Sequence, residues 1–257
     1  MSRPKVYIDG KEGTTGLQIY DRLAGRQDIE LLLIDVDKRK DVEERRKFLN
    51  AADLVFLCLP DAAAREAVSL IENSRTRVID ASTAHRTAEG WVYGFAELLP
   101  GQRQRIKFAD RVANPGCHAT GFLSTVAPLV SLGILPRDYP LACYSLTGYS
   151  GGGKKMIAEY EDPGRDPLLD APAPYAIGLQ HKHLPEMQAV AGLAAPPNFL
   201  PVLGDIPQGM TTCVMLHNRL LPGTPGAEDI RDLLADYYQD QALVHVAPFG
   251  GDGPRLY

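Results

Sequence analysis

A cysteine can act as a nucleophile when its surroundings favour the thiolate and a proton carrier stands beside it. Cys117 lies in Asn114-Pro115-Gly116-Cys117-His118-Ala119-Thr120, where a Pro-Gly turn runs into an apolar helical stretch. A helix N-terminus lowers a thiol pKa from its free value of about 8.5. Such thiolates attack carbonyl or acyl carbons. Cys58, Cys143 and Cys213 sit inside apolar strand-like runs and read as core. Gln180-His181-Lys182-His183-Leu184-Pro185-Glu186 offers the proton carrier, since histidine titrates near neutrality. Pro185 suits the first turn of a helix starting near Leu184. Glu186 is then placed to orient a histidine, cap the helix or meet substrate. The His-x-His pair lacks a third ligand at a diagnostic spacing, so no metal is expected. His118, His217 and His245 have no companions in sequence and read as structural.

A second chemistry is carried by glycines. Gly10-Lys11-Glu12-Gly13-Thr14-Thr15-Gly16 follows a short apolar run and opens a helical one. A missing Cβ lets the backbone turn tightly and approach a ligand. The following helix N-terminus directs N–H groups and a positive dipole end at a pyrophosphate. The spacing is GxxGxxG, which fits a dinucleotide site by its placement more than by its pattern. Beyond the second apolar run come Asp35 and then Lys38-Arg39-Lys40. A carboxylate here suits the ribose hydroxyl of NAD, and a basic cluster the extra phosphate of NADP. Three consecutive cations favour NADP, through Arg39 and Lys40. Ser82 and Arg86 follow the fourth apolar run, where open parallel sheets bind ligands, and Arg86 suits a phosphate or carboxylate. Ser150-Gly151-Gly152-Gly153-Lys154-Lys155 offers N–H donors and cations to an anion. Ser82, Gly151 and Gly152 are therefore expected at cofactor, and Asn114, Ser150, Lys154 and Glu186 at substrate.

The elements that must position these groups alternate at first. Strands are expected at Lys5–Ile8, Leu31–Ile34, Leu54–Leu59 and Arg77–Ala81, and helices at Thr14–Ala24, Asp41–Ala52 and Ala62–Glu72. That order predicts a doubly wound parallel sheet with strands buried on both faces. Past Asn114-Pro115-Gly116 the alternation stops. A helix over His118–Leu132, bent at Pro128, strands at Leu141–Leu146 and Thr211–Leu216, and a helix over Glu228–Tyr238 predict an α+β second domain. The expected boundary gives a dinucleotide-binding domain, 1–116, and a catalytic and dimerisation domain, 117–257.

With 257 residues, 45% hydrophobic and 23% charged, the chain can bury cores without staples. A net charge of −5 argues against nucleic-acid partners. No apolar run reaches the 18 or so residues of a membrane helix, and no signal-peptide pattern is seen. Few, widely spaced cysteines without CxxC suit a reducing cytoplasm.

These motifs together resemble N-acetyl-gamma-glutamyl-phosphate reductase, in its shorter type. The resemblance rests on Ile8-Asp9-Gly10…Gly13-Thr14-Thr15-Gly16, Cys58-Leu59-Pro60-Asp61, Asp80-Ala81-Ser82-Thr83-Ala84-His85-Arg86, Asn114-Pro115-Gly116-Cys117, Ser150-Gly151-Gly152-Gly153 and the HxHxPE segment from His181 to Glu186. It runs from about residue 5 to about residue 248. It implies a cytoplasmic homodimer or homotetramer using NADP(H), with a Rossmann domain and a catalytic domain like that of glyceraldehyde-3-phosphate dehydrogenase. It implies that Cys117 attacks an acyl phosphate, expels phosphate and holds a thioester that hydride converts to a semialdehyde. His183 is the first candidate for acid–base work and His181 the second. Members of the family are expected to continue past residue 257 with further strands and a glycine-rich segment. An enzyme like aspartate-semialdehyde dehydrogenase, and a non-catalytic NADP-binding protein, are the alternatives.

Overall fold

The computed structural model describes residues 3–11, 13–251 and 253; the side chain of Thr14, expected at the cofactor, lies outside the described part. The chain divides into two compact units, Met1–Gly94 with Gln104–Pro115, and Phe95–Arg103 with Gly116–Tyr257. A single boundary at Gly116 makes no provision for Phe95–Arg103, which groups with the second unit.

The first unit alternates β1 (Lys5–Asp9), α1 (Thr14–Ala24), β2 (Glu30–Leu32), α2 (Val42–Ala51), β3 (Leu54–Leu57), α3 (Asp61–Ser69) and β4 (Arg77–Asp80). Two short strands, β5 (Val92–Tyr93) and β6 (Arg111–Ala113), follow, with helix α4 (Gln102–Phe108) between them in sequence. The sheet order is β2-β1-β3-β4-β6-β5, parallel throughout. The chain leaves β1 for one side and returns to the other with β3. Open parallel sheets bind ligands at such a switch point. Tyr7, Val55, Leu57 and Val78 fill the core with Leu49, Ala64 and Ala67 from the helices. Asp41 caps α2, its carboxylate accepting the Glu44 N–H. One strand departs from expectation. β2 stops at Leu32, and Leu33 is 53% exposed, because β2 is the sheet edge.

The second unit contains α5 (Cys117–Ser131), β7 (Ala142–Thr147), α6 (Lys154–Glu161), β8 (Ala173–Pro174), α7 (Leu184–Ala191), β9 (Asn198–Leu203), β10 (Met210–Met215) and α8 (Ala227–Tyr238). Its sheet runs β10-β7-β9-β8, with β7 and β9 parallel and the outer pairs antiparallel. Alternation along β7 sends Cys143, Ser145 and Thr147 inward and leaves Tyr144 on the other face. Helix α5 packs on α7, α8 and β10. It runs through Pro128, whose missing N–H deprives the Ser124 carbonyl four residues back of its helical partner. The buried Tyr238 hydroxyl of α8 donates to that carbonyl instead, at 2.8 Å.

Candidate functional site

In the first unit the glycine turn is built around close backbone contacts. Gly10 has φ +86°, and a Cβ on it would stand 2.3 Å from the Cys58 carbonyl oxygen. A Cβ on Gly16 would stand 2.3 Å from the Gly10 oxygen. The Gly13 N–H donates to that same oxygen at 3.0 Å, closing the turn. The first helical bond of α1 is Leu17 N–H to Gly13 oxygen, so the Thr15 and Gly16 N–H groups precede it.

Beside this turn lies a cleft of about 470 Å³ at the ends of β1, β2 and β3. Gly10, Lys11, Gly13, Arg39 and Lys40 line its polar side, and Leu31–Ile34, Val36, Leu59 and Pro60 its apolar side. Two rims of different chemistry fit a dinucleotide, with cations for phosphate and apolar walls for a base. Asp35 is not among the lining residues. Thr15 and Gly16 also stay out of the lining: Thr15 is exposed, and Gly16 is buried under Gly10.

Sequence reasoning missed the floor of this cleft. Asp9 is 3% exposed and takes Arg45 Nε and Nη2 at 3.2 and 2.9 Å. Arg45, itself buried, also reaches Glu66 at 2.7 Å. Burial pushes the Asp9 carboxyl up while Arg45 pulls it back. The available signal was an aspartate closing an otherwise apolar strand.

The loop after β4 shows what holds Ser82, a residue expected at cofactor: its hydroxyl donates to Asp80 at 2.7 Å, as its N–H does at 2.9 Å. Asp80 also holds His85 Nδ1 at 2.6 Å, and His85 stacks on Trp91 at 4.1 Å. These bonds fix the serine in the loop. Arg86 and Asn114 come together: Arg86 Nε donates to the Asn114 carbonyl at 3.0 Å and Nη2 to Ala81 at 3.4 Å.

In the second unit Cys117 is exposed and is the first residue of the 15-residue helix α5. That helix closes its first turn with Thr120 N–H to Gly116 oxygen, leaving the His118 and Ala119 N–H groups ahead of it. Cys117 lines a cleft of about 370 Å³ with His118, Gly151, Gly152, Tyr175, His181, Lys182 and His183. Gly151 and Gly152, expected at cofactor, therefore lie in the cysteine's own cleft. Ser150 and Lys154 do not line it. The Ser150 backbone is tied to Pro207 and Gly153, and Lys154 is exposed at the start of α6.

The HxHxPE segment wraps the start of α7, with Pro185 in its first turn. Glu186, expected at substrate, is 2% exposed and stands outside the cleft lining. Its Oε2 accepts the Gly116 N–H at 3.0 Å, and its Oε1 lies 4.0 Å from His183 Nε2. One carboxylate thus ties the turn before Cys117 to the histidine segment. His181 stands edge-on to His183, ring centres 4.7 Å apart, and its Nδ1 accepts the His183 backbone N–H at 3.1 Å. That bond leaves the proton of a neutral His181 on Nε2. Burial and the neighbouring Lys182 charge push the His181 pKa down.

His118 departs from its reading as a histidine without companions. It was grouped with His217 and His245, which are exposed and line neither cleft. It packs instead 5.4 Å from His181 and 5.6 Å from His183, ring centre to ring centre. Burial first, then His181 and Lys182, lower its pKa to about 4. Its companions are more than 60 residues away in sequence, so spacing offered no signal. Among the described residues no group of three or more His, Cys, Asp or Glu side chains forms a metal site, and no helix is long and apolar enough to cross a membrane.

Residues 5–107 match the family model of the semialdehyde dehydrogenase NAD-binding domain, and residues 117–255 that of the semialdehyde dehydrogenase dimerisation domain. The chain is 50% identical over 254 residues to N-acetyl-gamma-glutamyl-phosphate reductase 2 of Nostoc sp., covering 97% of this chain and 79% of that one. It is 53% identical over 249 residues to N-acetyl-gamma-glutamyl-phosphate reductase of Chelativorans sp., covering 95% and 79%. Among solved structures, aspartate semialdehyde dehydrogenase II of Vibrio cholerae, complexed with ASA, superimposes with a TM-score of 0.67 at 14% identity, covering 94% of this chain and 80% of that one. The Candida albicans aspartate semialdehyde dehydrogenase with NADP gives 0.62 at 16%, covering 92% and 77%. At such identities the likeness is one of fold.

Proposed function

The chain belongs to the N-acetyl-gamma-glutamyl-phosphate reductases of the semialdehyde dehydrogenase family, and from that membership we propose that it reduces N-acetyl-gamma-glutamyl phosphate with NADPH to N-acetylglutamate 5-semialdehyde and phosphate. The observation that carries the reading is Cys117, exposed at the start of α5 in a cleft it shares with His181 and His183.

The Cys117 thiolate attacks the acyl carbon, the carbon–oxygen bond to phosphate breaks, and a thioester remains. His183 takes the thiol proton, oriented by Glu186. NADPH, when bound at the Gly10–Gly16 turn with Arg39 and Lys40 at its 2′-phosphate, supplies the hydride. The His118 and Ala119 N–H groups ahead of the first turn of α5 stabilise charge on the acyl oxygen. The oxyanion left by hydride addition collapses to the aldehyde and expels the Cys117 thiolate. His183 then returns its proton to the sulfur. His181, neutral with its proton on Nε2, is the second hydrogen-bonding group of the cleft. Arg86, braced beside Asn114 in the first unit, offers a cation to an anionic group.

A homodimer is the assembly we favour. The open face of the second sheet carries Tyr144, Leu200 and Met215, each at least 40% exposed, on the domain type named for dimerisation. A chemistry that needs Cys117 reduced suits the cytoplasm.

The test runs the reaction backwards, with NADP, phosphate and N-acetylglutamate 5-semialdehyde, following NADPH. Phosphate-dependent NADPH formation is expected, abolished in Cys117→Ser with NADPH binding within a few-fold of wild type. NADPH formation that ignores phosphate, or that survives Cys117→Ser, overturns the reading.

A further inference from the structure

We infer that Tyr175 is the hydrogen-bond donor that meets negative charge at Cys117, held to that task by a buried chain of two hydroxyls and one imidazole behind it. The chain crosses the second unit from its outermost strand to its cleft. Thr212 Oγ1 on β10 lies 3.1 Å from Ser145 Oγ on β7. Ser145 Oγ lies 2.9 Å from His118 Nδ1 on α5, and His118 Nε2 lies 2.7 Å from the Tyr175 hydroxyl. Ser145 is 0% and His118 3% exposed, so the middle of the chain is shut off from solvent. Tyr175 follows β8 and is pinned to β9 by its N–H, which donates to the Pro201 carbonyl at 3.0 Å. It lines the cleft with Cys117 and His118.

The direction of the chain decides what Tyr175 offers. A neutral imidazole has one N–H and one lone pair. If Tyr175 donates to His118, the protons run toward Thr212 and the phenol shows only lone pairs to the cleft. If Thr212 donates to Ser145 and Ser145 to Nδ1, then His118 Nε2–H donates to the phenol oxygen. The phenol O–H is then released toward the cleft. An anion at Cys117 selects the second direction, because only that one presents a donor to it. The burial that keeps His118 neutral makes both directions available, since a protonated ring accepts from neither neighbour. The phenol keeps its own proton: burial, with the Cys117 charge as a further cause, raises its pKa to about 12. Tyr175 therefore donates without being consumed. In the resting enzyme the anion is the thiolate. In the proposed reaction, on which this part of the inference rests, it is the acyl oxygen after nucleophile or hydride has added.

The experiment compares Tyr175→Phe with wild type in two measurements. The first is iodoacetamide alkylation of the Cys117 peptide across pH, quantified by mass spectrometry, which needs no substrate. The ionisable groups around the phenol are Cys117, His118 and His181, with Lys182 beside them, and all remain in the variant. Loss of one charge-assisted bond is expected to move the alkylation midpoint up by about one pH unit or more. The second is turnover, where losing a donor to an oxyanion lowers kcat by about tenfold or more, against 10²–10³ for a full oxyanion-hole donor. KM for the acyl phosphate and affinity for NADPH stay within about twofold of wild type. An alkylation profile that does not move overturns the inference, whatever turnover does. A moved profile in a protein whose wild type ignores acyl phosphate supports the donor and refutes the reaction. If Tyr175→Phe does not fold, Ser145→Ala is read in the same way, with the same direction and a smaller shift, and an unmoved profile there overturns the inference.

Discussion

Gly16→Ala tests whether the glycine turn is a binding device or a spacer. Gly16 lies in the first turn of α1, where alanine is ordinarily better by about 1 kcal/mol. A Cβ there would sit 2.3 Å from the Gly10 oxygen and 2.7 Å from the Lys11 Cα, both backbone atoms. Neither can rotate away, so the β1–α1 turn must move by roughly 1 Å to restore contact distance. Such overpacking costs about 1–3 kcal/mol. It also strains the 3.0 Å bond from Gly13 N–H to the Gly10 oxygen, worth about 1 kcal/mol. The net destabilisation is then about 1–3 kcal/mol, and a unit of roughly 100 residues loses ~4–8 °C of Tm per kcal/mol. Gly25→Ala is the matched control. Gly25 ends the same helix at φ −83° with nothing within 4 Å of its Cβ position, so alanine there is neutral or slightly stabilising. The assay is a fluorescence titration with NADPH beside calorimetry on both variants. Gly16→Ala should bind NADPH at least about tenfold more weakly, a loss of about 1.4 kcal/mol. If it binds as tightly as Gly25→Ala and melts with it, the turn is not the cofactor's cradle.

Three further outcomes follow from the same geometry. Arg39→Asp should weaken NADPH far more than NADH in competition titrations, and equal loss of both would remove Arg39 from the 2′-phosphate. Arg45→Met leaves the Asp9 carboxylate buried without its partner and should lower urea stability by about 3–5 kcal/mol, whereas Arg46→Met, which removes the half-buried partner of the exposed Glu72, should change it by less than about 1 kcal/mol. His118 binds its proton at about 4 in the fold and near 6.5 when unfolded. Below pH 6.5 the unfolded chain therefore carries more protons, and this site removes stability as pH falls from 6.5 toward 4, reaching roughly 3 kcal/mol. Urea midpoints of His118→Gln should be flatter over that window, and parallel curves would refute the assignment.

The first unit was legible because its elements obey local rules. The runs expected at Lys5–Ile8, Leu54–Leu59 and Arg77–Ala81 are the strands β1, β3 and β4 of one sheet, to within two residues at their ends, and Thr14–Ala24 is helical over its whole expected span. Where the sequence misled, the cause was position in the sheet. Leu31–Ile34 reads as fully buried, yet its place at the edge leaves Leu33 exposed, and periodicity carries no information about which strand is outermost. The second unit was less legible for a related reason. Helix α6, strand β9 and the two-residue β8 have no regular alternation to announce them, and β9 pairs in parallel with β7 across more than 50 residues.

The same distinction separates the candidate residues that a sequence brings out from those it hides. Cys117 and the HxHxPE segment carry their chemistry in adjacent residues, so a short reading frame suffices. Glu186 was visible, but its work was not, because the N–H it accepts belongs to Gly116, 70 residues earlier. His118 shows the limit most sharply. Next to Cys117 it reads as one more apolar-helix residue, and only folding adds Ser145, Tyr175 and the two motif histidines around its ring. A polar residue inside an apolar helical run must either find partners or cost free energy. An imidazole placed directly after a cysteine that opens a helix should therefore prompt a search for distant hydroxyls, even before their positions are known.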